Sequence, residues 1–235
     1  MLDFWKKVFD EQHIKGEADF ILELMMVPPG AAILDVSCRE GRLSRELASG
    51  GSALTGVDHS GDFLNEARSK AAALGLNIQW KQCNMRGLPW QSSFDGAFCF
   101  GGSFGYFEDQ DNADFLNVVC RSLKPAARFV LETSVSTETL LPRLLGREWT
   151  RFGDSLLLEE NQYDHLKCRL NTDYTIIRDG HAETRFSSRR IYTYRELIRL
   201  LECDGFTHVP SFGSLAGDQF KRSSPQLFLV GKVKG

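Results

Sequence analysis

The chain has 235 residues, of which 42% are hydrophobic and 25% are charged, and its formal net charge at pH 7 is −3. This length fits one large domain, and the mildly acidic balance gives no support for a nucleic-acid or anionic-membrane partner. No apolar run approaches the roughly 18 residues of a membrane span, and the first residues lack the apolar segment of a signal peptide. We therefore expect a cytoplasmic protein.

Helix and strand patterns alternate through the first two thirds of the chain. Residues 1–29 are predicted to be helical as far as the breaker "VPPG". Strands are then predicted in "AAILDV", "SALTGVD", "NIQWKQC", "FDGAFCF" and "ARFVLETS", with helical patterns or a loop between them. Strands that alternate with helices predict a parallel sheet with both faces covered.

The pattern changes from about Trp149. Three successive strands are predicted in residues 149–193, with Asp179-Gly180 typical of a two-residue hairpin turn. A helix in "YRELIRLLECDG" and strands in "FTHVPSFG" and "QLFLVGKVKG" follow. We expect one α/β domain over residues 1–235, with a mostly parallel seven-stranded sheet and an antiparallel insertion, acting as a lid, after the fifth strand.

Two acidic residues end the first two predicted strands, Asp35 and Asp58. In an open parallel sheet, ligands bind at the carboxyl ends of the strands, and an acid after the second strand suits the two hydroxyls of a ribose. Either a dinucleotide or an adenosyl cofactor would satisfy this pattern. The turn "SCREGR" lacks the GxGxxG fingerprint of pyrophosphate binding, which disfavours a nicotinamide-linked oxidoreductase.

The stretch "ILDVSCREGRLSRELA" resembles the first motif of the class I S-adenosylmethionine-dependent methyltransferases, of the small bacterial type. Further segments resemble later motifs of that family in the same order. They are "LTGVDHSGDFLNEAR" for the second strand and ribose acid, "QCNMRGLPW" for the adenine loop, "FDGAFCFGGSFGYFED" for the fourth strand and its loop, "RSLKPAARFVLE" for the fifth strand, and "RIYTYRELIRLLECDGF" for the late helix. The resemblance covers roughly residues 31 to 206.

This resemblance implies a Rossmann-like, doubly wound fold, S-adenosyl-L-methionine as the methyl donor and S-adenosyl-L-homocysteine as the product. It implies that cofactor contacts lie in four groups. The methionine end of the cofactor would contact Asp35, Ser37, Cys38 and Gly41, and its ribose would contact Asp58 and His59. Its adenine would contact Asn84, Met85 and Arg86, and the region near its sulfonium would contact Phe100, Gly101 and Phe104.

Two departures from the family pattern lie in the first turn, where Ser37 and Arg39 replace glycines. Arg39 lacks the freedom of glycine at positive φ, and it adds a cation beside a ligand that is already cationic. Ala126 and Ala127 replace two glycines in a later turn. The second hypothesis is therefore a catalytically silent binding or scaffold protein with the same fold.

Residues on the acceptor side are expected in the loop after the fourth strand and in the insertion. The candidates are Tyr106, Trp149, Arg190 and Tyr192. Strand alternation groups Arg190 and Tyr192 with Phe186, and this face could line a pocket or could pack against the main domain with Arg190 paired to a carboxylate. No catalytic residue and no metal site is assigned. We expect a small-molecule methyl acceptor, and the sequence leaves the oligomeric state open, including a homodimer.

Overall fold

The computed structural model describes residues 11–234. Its helices are α1 (Glu11–Met25), α2 (Arg42–Ser49), α3 (Gly61–Ala73), α4 (Asp109–Ser122), α5 (Thr137–Leu140) and α6 (Tyr194–Cys203). Its strands are β1 (Ala32–Val36), β2 (Ala53–Asp58), β3 (Gln79–Gln82), β4 (Phe94–Cys99), β5 (Leu123–Thr133), β6 (Arg147–Phe152), β7 (Ser155–Asp164), β8 (Arg169–Arg178), β9 (His181–Arg190), β10 (Phe206–Phe212) and β11 (Leu227–Val233). Short 3₁₀ turns lie at Met85–Gly87 and Leu141–Arg143.

The central sheet has seven strands in the order β10-β11-β5-β4-β1-β2-β3. The first five strands along the chain pair in parallel, and β11 pairs antiparallel with both β5 and β10. One apolar core on this sheet includes Phe115 and Leu201 of α4 and α6, and another includes Ile21 and Leu47 of α1 and α2. The predicted doubly wound α/β fold is confirmed.

The insertion forms a separate antiparallel sheet of four strands in the order β6-β7-β8-β9. The three predicted strands are present as β7, β8 and β9, and the structure adds a fourth that was not predicted, β6, which begins at Arg147. Five of its six residues are exposed at the sheet edge, so its sequence shows no apolar alternation. The hairpin at Asp179-Gly180 has positive φ values of 50° and 74°, as a type I′ turn requires.

Within the predicted helical region, Glu11–Met25 form α1, which packs on α2 and on the sheet. The first ten residues lie outside the described part of the chain, and with them the helical pattern in "FWKKVFD". Within residues 11–234, no helix is long and apolar enough to cross a membrane.

Two glycines leave space for the Trp80 ring behind the turn between β1 and α2. A Cβ on either Gly41 or Gly56 would overlap that ring, and a Cβ on Gly56 would also lie 3.0 Å from Cys38 Sγ. The backbone around Cys38 is therefore held against β2 by close packing as well as by the hydrogen bond from Cys38 N–H to Val57 O, at 2.9 Å.

Gly56→Ala is expected to lower the free energy of unfolding by about 1–3 kcal/mol, because overpacking forces the Trp80 ring or the strand to shift. The matched control is Gly16→Ala in α1, where no atom lies within 4 Å of the new Cβ. That change should raise stability by about 0.5–1 kcal/mol through helix propensity. Urea unfolding of both variants measures the contrast; equal small effects would show that the Trp80 packing is loose.

Candidate functional site

The turn between β1 and α2 keeps the backbone of a glycine-rich turn. Ser37, Arg39 and Gly41, at alternate positions, all have positive φ, with values of 64°, 53° and 70°. A non-glycine residue in this region is strained by roughly 1–2 kcal/mol. Ser37 and Arg39 therefore occupy positions that favour glycine, and the surrounding contacts hold them there.

Asp58 is the residue that holds this turn. It is buried at the end of β2, where its Oδ2 accepts a hydrogen bond from Arg39 N–H at 2.9 Å. Its Oδ1 accepts from Ser60 N–H at 2.9 Å, and His59 Nδ1 lies 3.4 Å from the same oxygen. A carboxylate has about four lone-pair sites, so two such bonds leave capacity for ligand hydroxyls.

Asp35 lies at the end of β1 and is also buried. Its Oδ2 accepts a hydrogen bond from the Ser44 hydroxyl at 2.6 Å, across the turn to α2. Burial raises the pKa of Asp35 to about 7, and the Ser44 hydrogen bond opposes that rise only in part. A cationic ligand nearby would favour the ionised form of this carboxyl.

The Arg39 side chain does not fill the turn. Its guanidinium carbon lies 5.5 Å from the centre of the Phe63 ring, and its Nε lies 3.9 Å from Glu40 Oε2. The side chain is 33% exposed. The guanidinium therefore lies over the Phe63 ring of α3 and near the Glu40 carboxylate, and the Arg39 backbone N–H donates to Asp58.

A third buried carboxylate, that of Glu132, faces the loop that follows β4. Glu132, near the end of β5, accepts hydrogen bonds from Gly101 N–H at 2.9 Å and Gly102 N–H at 3.2 Å. Burial raises the pKa of Glu132, and these two N–H groups oppose the rise. Beside it, Glu17 of α1 forms a buried ion pair with Arg42 of α2. The floor of the site is therefore rich in carboxylates.

These groups line one cavity of about 620 Å³ at the carboxyl ends of β1, β2 and β4. It also extends under β9, which contributes Arg185, Phe186, Ser187 and Arg189. A neighbouring cavity of about 300 Å³ lies between the segment from Ser134 to Leu144 and the four-stranded sheet. The two cavities share Ser134, Glu159, Tyr174 and Arg189.

Half of the predicted site residues lie on the larger cavity. They are Asp35, Ser37, Cys38, Asp58, His59, Phe100, Gly101 and Tyr106. Gly41 and Phe104 lie behind this lining: Gly41 packs on Trp80, and Phe104 is buried against Phe115 and Tyr192.

The structure does not bring the predicted adenine loop into the cavity lining. Asn84 Oδ1 accepts a hydrogen bond from Arg86 N–H at 3.0 Å, and Met85 packs against the core. Arg86 pairs with Asp111 at 2.6 Å and stacks on Phe107 at 4.4 Å. Contacts with α4 and the loop before it therefore anchor the loop beside the site.

Three predicted acceptor residues also lie outside both cavity linings. Trp149 is on the edge strand β6 and is 68% exposed. Arg190 pairs with Asp109 at 3.0 Å and Glu196 at 3.1 Å, and the buried Tyr192 hydroxyl donates to Asp109 at 2.9 Å. Of the two arrangements considered for this face, the structure has the one in which Arg190 pairs with carboxylates.

Several lining residues were not predicted. Glu132 follows an apolar strand in "FVLE", the same signal that identified Asp35, so the pattern could have found it. Arg185 and Arg189 belong to the other face of β9, and alternation alone does not say which face turns inward. Glu17, Arg42 and Phe63 lie on helices whose docking brings them to the cavity.

Comparison with known proteins agrees with this architecture. Residues 33–126 match the family described as a methyltransferase domain. A putative methyltransferase of Geobacillus sp. (strain WCH70) is 41% identical over 78 residues, which cover 33% of this chain and 32% of that protein. The chain spans about a third of the length of the first curated relatives that it matches.

Two solved structures share the fold across nearly the whole chain. An S-adenosylmethionine-dependent methyltransferase from Clostridium acetobutylicum superposes with a TM-score of 0.83 at 20% identity, covering 94% of this chain and 92% of that one. The sugar N-methyltransferase KedS8 from Streptoalloteichus sp. superposes with a TM-score of 0.74 at 18% identity, covering 100% and 93%. The chain therefore has the fold of these methyltransferases, and its residues 33–126 match the methyltransferase-domain family.

Proposed function

We propose that the chain is an S-adenosylmethionine-dependent methyltransferase that acts on a small-molecule acceptor. The observation that carries this proposal is the bond from Arg39 N–H to the Asp58 carboxylate, at 2.9 Å. It joins the positive-φ turn after β1 to the acid that ends β2, so that both present their remaining polar groups to one cavity. This is the arrangement that an adenosyl cofactor needs at the switch point of an open α/β sheet.

The residues present fit such a cofactor in size and charge. The cavity volume of about 620 Å³ lies within the usual range of ligand pockets, roughly 300–1,000 Å³. Asp58 retains acceptor capacity for ribose hydroxyls, and Gly101 has open space where a Cβ would stand. Asp35 and Glu132 offer buried carboxylates to a ligand that carries a sulfonium and an ammonium charge.

When bound, S-adenosylmethionine would supply an electrophilic methyl carbon to an acceptor lone pair, with the neutral thioether S-adenosylhomocysteine as the leaving group. The chain's part is to align the reactants and exclude water, which can remove roughly 7–11 kcal/mol of barrier. The four-stranded sheet supports this role because β9 lines the cavity and its Arg189 lies beside Gly102. No general base is required when the acceptor atom is already deprotonated.

A small acceptor is supported by the way in which the site is covered. The second cavity, about 300 Å³, opens from the first and is bounded by the four-stranded sheet. A small molecule would fit within this volume. The resemblance in fold to the sugar N-methyltransferase KedS8 is consistent with such an acceptor.

A catalytically silent protein is the second candidate, and Arg39→Gly separates the two. The Arg39 side chain lies on Phe63, and a glycine at this position would retain the backbone N–H that donates to Asp58. We therefore expect the substitution to change cofactor affinity by no more than about fivefold, the effect of a partly exposed charge. Isothermal titration with S-adenosylhomocysteine measures both proteins. A wild-type protein that binds nothing at millimolar ligand, together with a binding Arg39→Gly variant, would favour the silent protein.

A further inference from the structure

Two opposite charges lie where the two cavities meet. Glu159 of β7 and Arg189 of β9 line both cavities, as does Tyr174 of the intervening strand β8, which lies directly opposite Glu159. The Arg189 guanidinium carbon lies 5.8 Å from the centre of the Tyr106 ring, and a Cβ on Gly102 would lie 3.4 Å from its Nη1. Arg189 is thus placed beside the loop after β4, at the inner end of the proposed cofactor site.

Neither charge has an ion-pair partner among residues 11–234. No carboxylate oxygen in this range lies within 4.0 Å of an Arg189 nitrogen, and no cationic nitrogen lies within 4.0 Å of Glu159. The neighbouring Arg190 differs, because it pairs with both Asp109 and Glu196. Glu159 and Arg189 attract one another through space, yet they do not touch.

A second carboxylate adds to the negative end of this arrangement. Glu148 of β6 lies directly opposite Glu159 in the antiparallel register, and it lines the smaller cavity. Like charges at directly opposed positions destabilise a sheet. Burial raises the pKa of Glu159, and repulsion from Glu148 adds to the rise. A cation placed between the two carboxylates would relieve this repulsion.

Resting on the function proposed above, we propose that the methyl acceptor is a small zwitterion that carries an ammonium group and a carboxylate, as an amino acid does. Its ammonium would lie at Glu159 and Glu148 in the smaller cavity, and its carboxylate at Arg189. A neutral acceptor would leave both half-buried charges without partners, and a singly charged acceptor would leave one of them. Partly desolvated charges without partners are costly, so the site discriminates by charge pattern.

The test measures transfer of labelled methyl groups from S-adenosylmethionine to three matched sets of acceptors. The first set is the common free amino acids, the second their amides, which are cations, and the third their N-acetyl derivatives, which are anions. We expect transfer to at least one free amino acid, with its amide and its N-acetyl derivative at least tenfold poorer in kcat/KM.

Two variants and one control test which group of the acceptor each of the two charged residues binds. Arg189→Gln should raise KM for the zwitterion at least tenfold without changing KM for the amide, and Glu159→Gln should leave KM for the N-acetyl derivative unchanged. Arg178→Gln is the control, because Arg178 lies on the neighbouring strand β8 outside both cavity linings and already pairs with Asp179. Activity on uncharged or singly charged acceptors only, no transfer to any free amino acid by a protein that binds S-adenosylmethionine, or equal effects of all three variants would overturn the proposal. Failure to bind S-adenosylmethionine would instead overturn the proposed function.

Discussion

Asp58→Ala is expected to weaken the binding of S-adenosylhomocysteine by about 1–3 kcal/mol, or roughly 5- to 150-fold, the scale for hydrogen bonds to a charged group. The change removes the proposed ribose acid, and it also leaves the N–H groups of Arg39 and Ser60 without their acceptor. Isothermal titration gives the dissociation constant. The loss of affinity should exceed the loss caused by replacing any other single side chain in the turn, because Asp58 accepts hydrogen bonds from the turn and, in this proposal, from the ligand.

Asp58→Asn and Asp62→Asn complete this experiment. The amide oxygen of Asp58→Asn can still accept one of the two backbone hydrogen bonds, so the fold should be retained while the charge is lost. Asp62 lies exposed in the first turn of α3, four residues away, and its replacement should leave affinity unchanged. Equal affinities for wild type, Asp58→Asn and Asp58→Ala would exclude Asp58 as the ribose acid.

Asp35→Asn is expected to make the protein more stable at pH 8, by about 2–4 kcal/mol on the scale of 1.36 kcal/mol for each unit of pKa. The unfolded carboxyl has a pKa near 3.9, and burial raises the pKa in the folded state to about 7. The folded state therefore holds this proton more tightly. Wild-type stability falls as pH rises from about 4 to about 7, and it is level above that range.

The Asn variant has no carboxyl to ionise, so its advantage should be small at pH 4 and full at pH 8. Urea unfolding at both values measures it. Ser44→Ala is a useful companion, because loss of the hydroxyl that bonds Asp35 removes an interaction that lowers the pKa. An Asn variant that is destabilised equally at both pH values would mean that Asp35 stays ionised through a partner.

Local signals in the sequence predicted the fold and the centre of the site. Asp35 and Asp58 each end an apolar strand, and β1 pairs with β2 in parallel, with Asp35 opposite Gly56. Adjacent parallel strands bring their carboxyl ends together, so the closeness of the two acids follows from strand order. Positive φ at Ser37 and Arg39 also agrees with the prediction that glycine would be favoured there.

Tertiary docking decided the parts that were not predicted. Alternation grouped Arg185 with Arg189 and Arg190 with Tyr192, but the packing of the four-stranded sheet decides which of these side chains line the cavity. Arg86 lies beside the site because it pairs with Asp111 of α4, a residue 25 positions away along the chain. Glu17 reaches the cavity through its ion pair with Arg42, a contact between two helices that no local pattern signals.

A crystal structure of the chain with S-adenosylhomocysteine tests the central claim most directly. We predict that the product lies in the cavity at the carboxyl ends of β1, β2 and β4, with its ribose hydroxyls on the Asp58 carboxylate and its sulfur facing Gly101 and Arg189. Product bound elsewhere, or crystals soaked at millimolar concentration that show none in this cavity, would contradict the account.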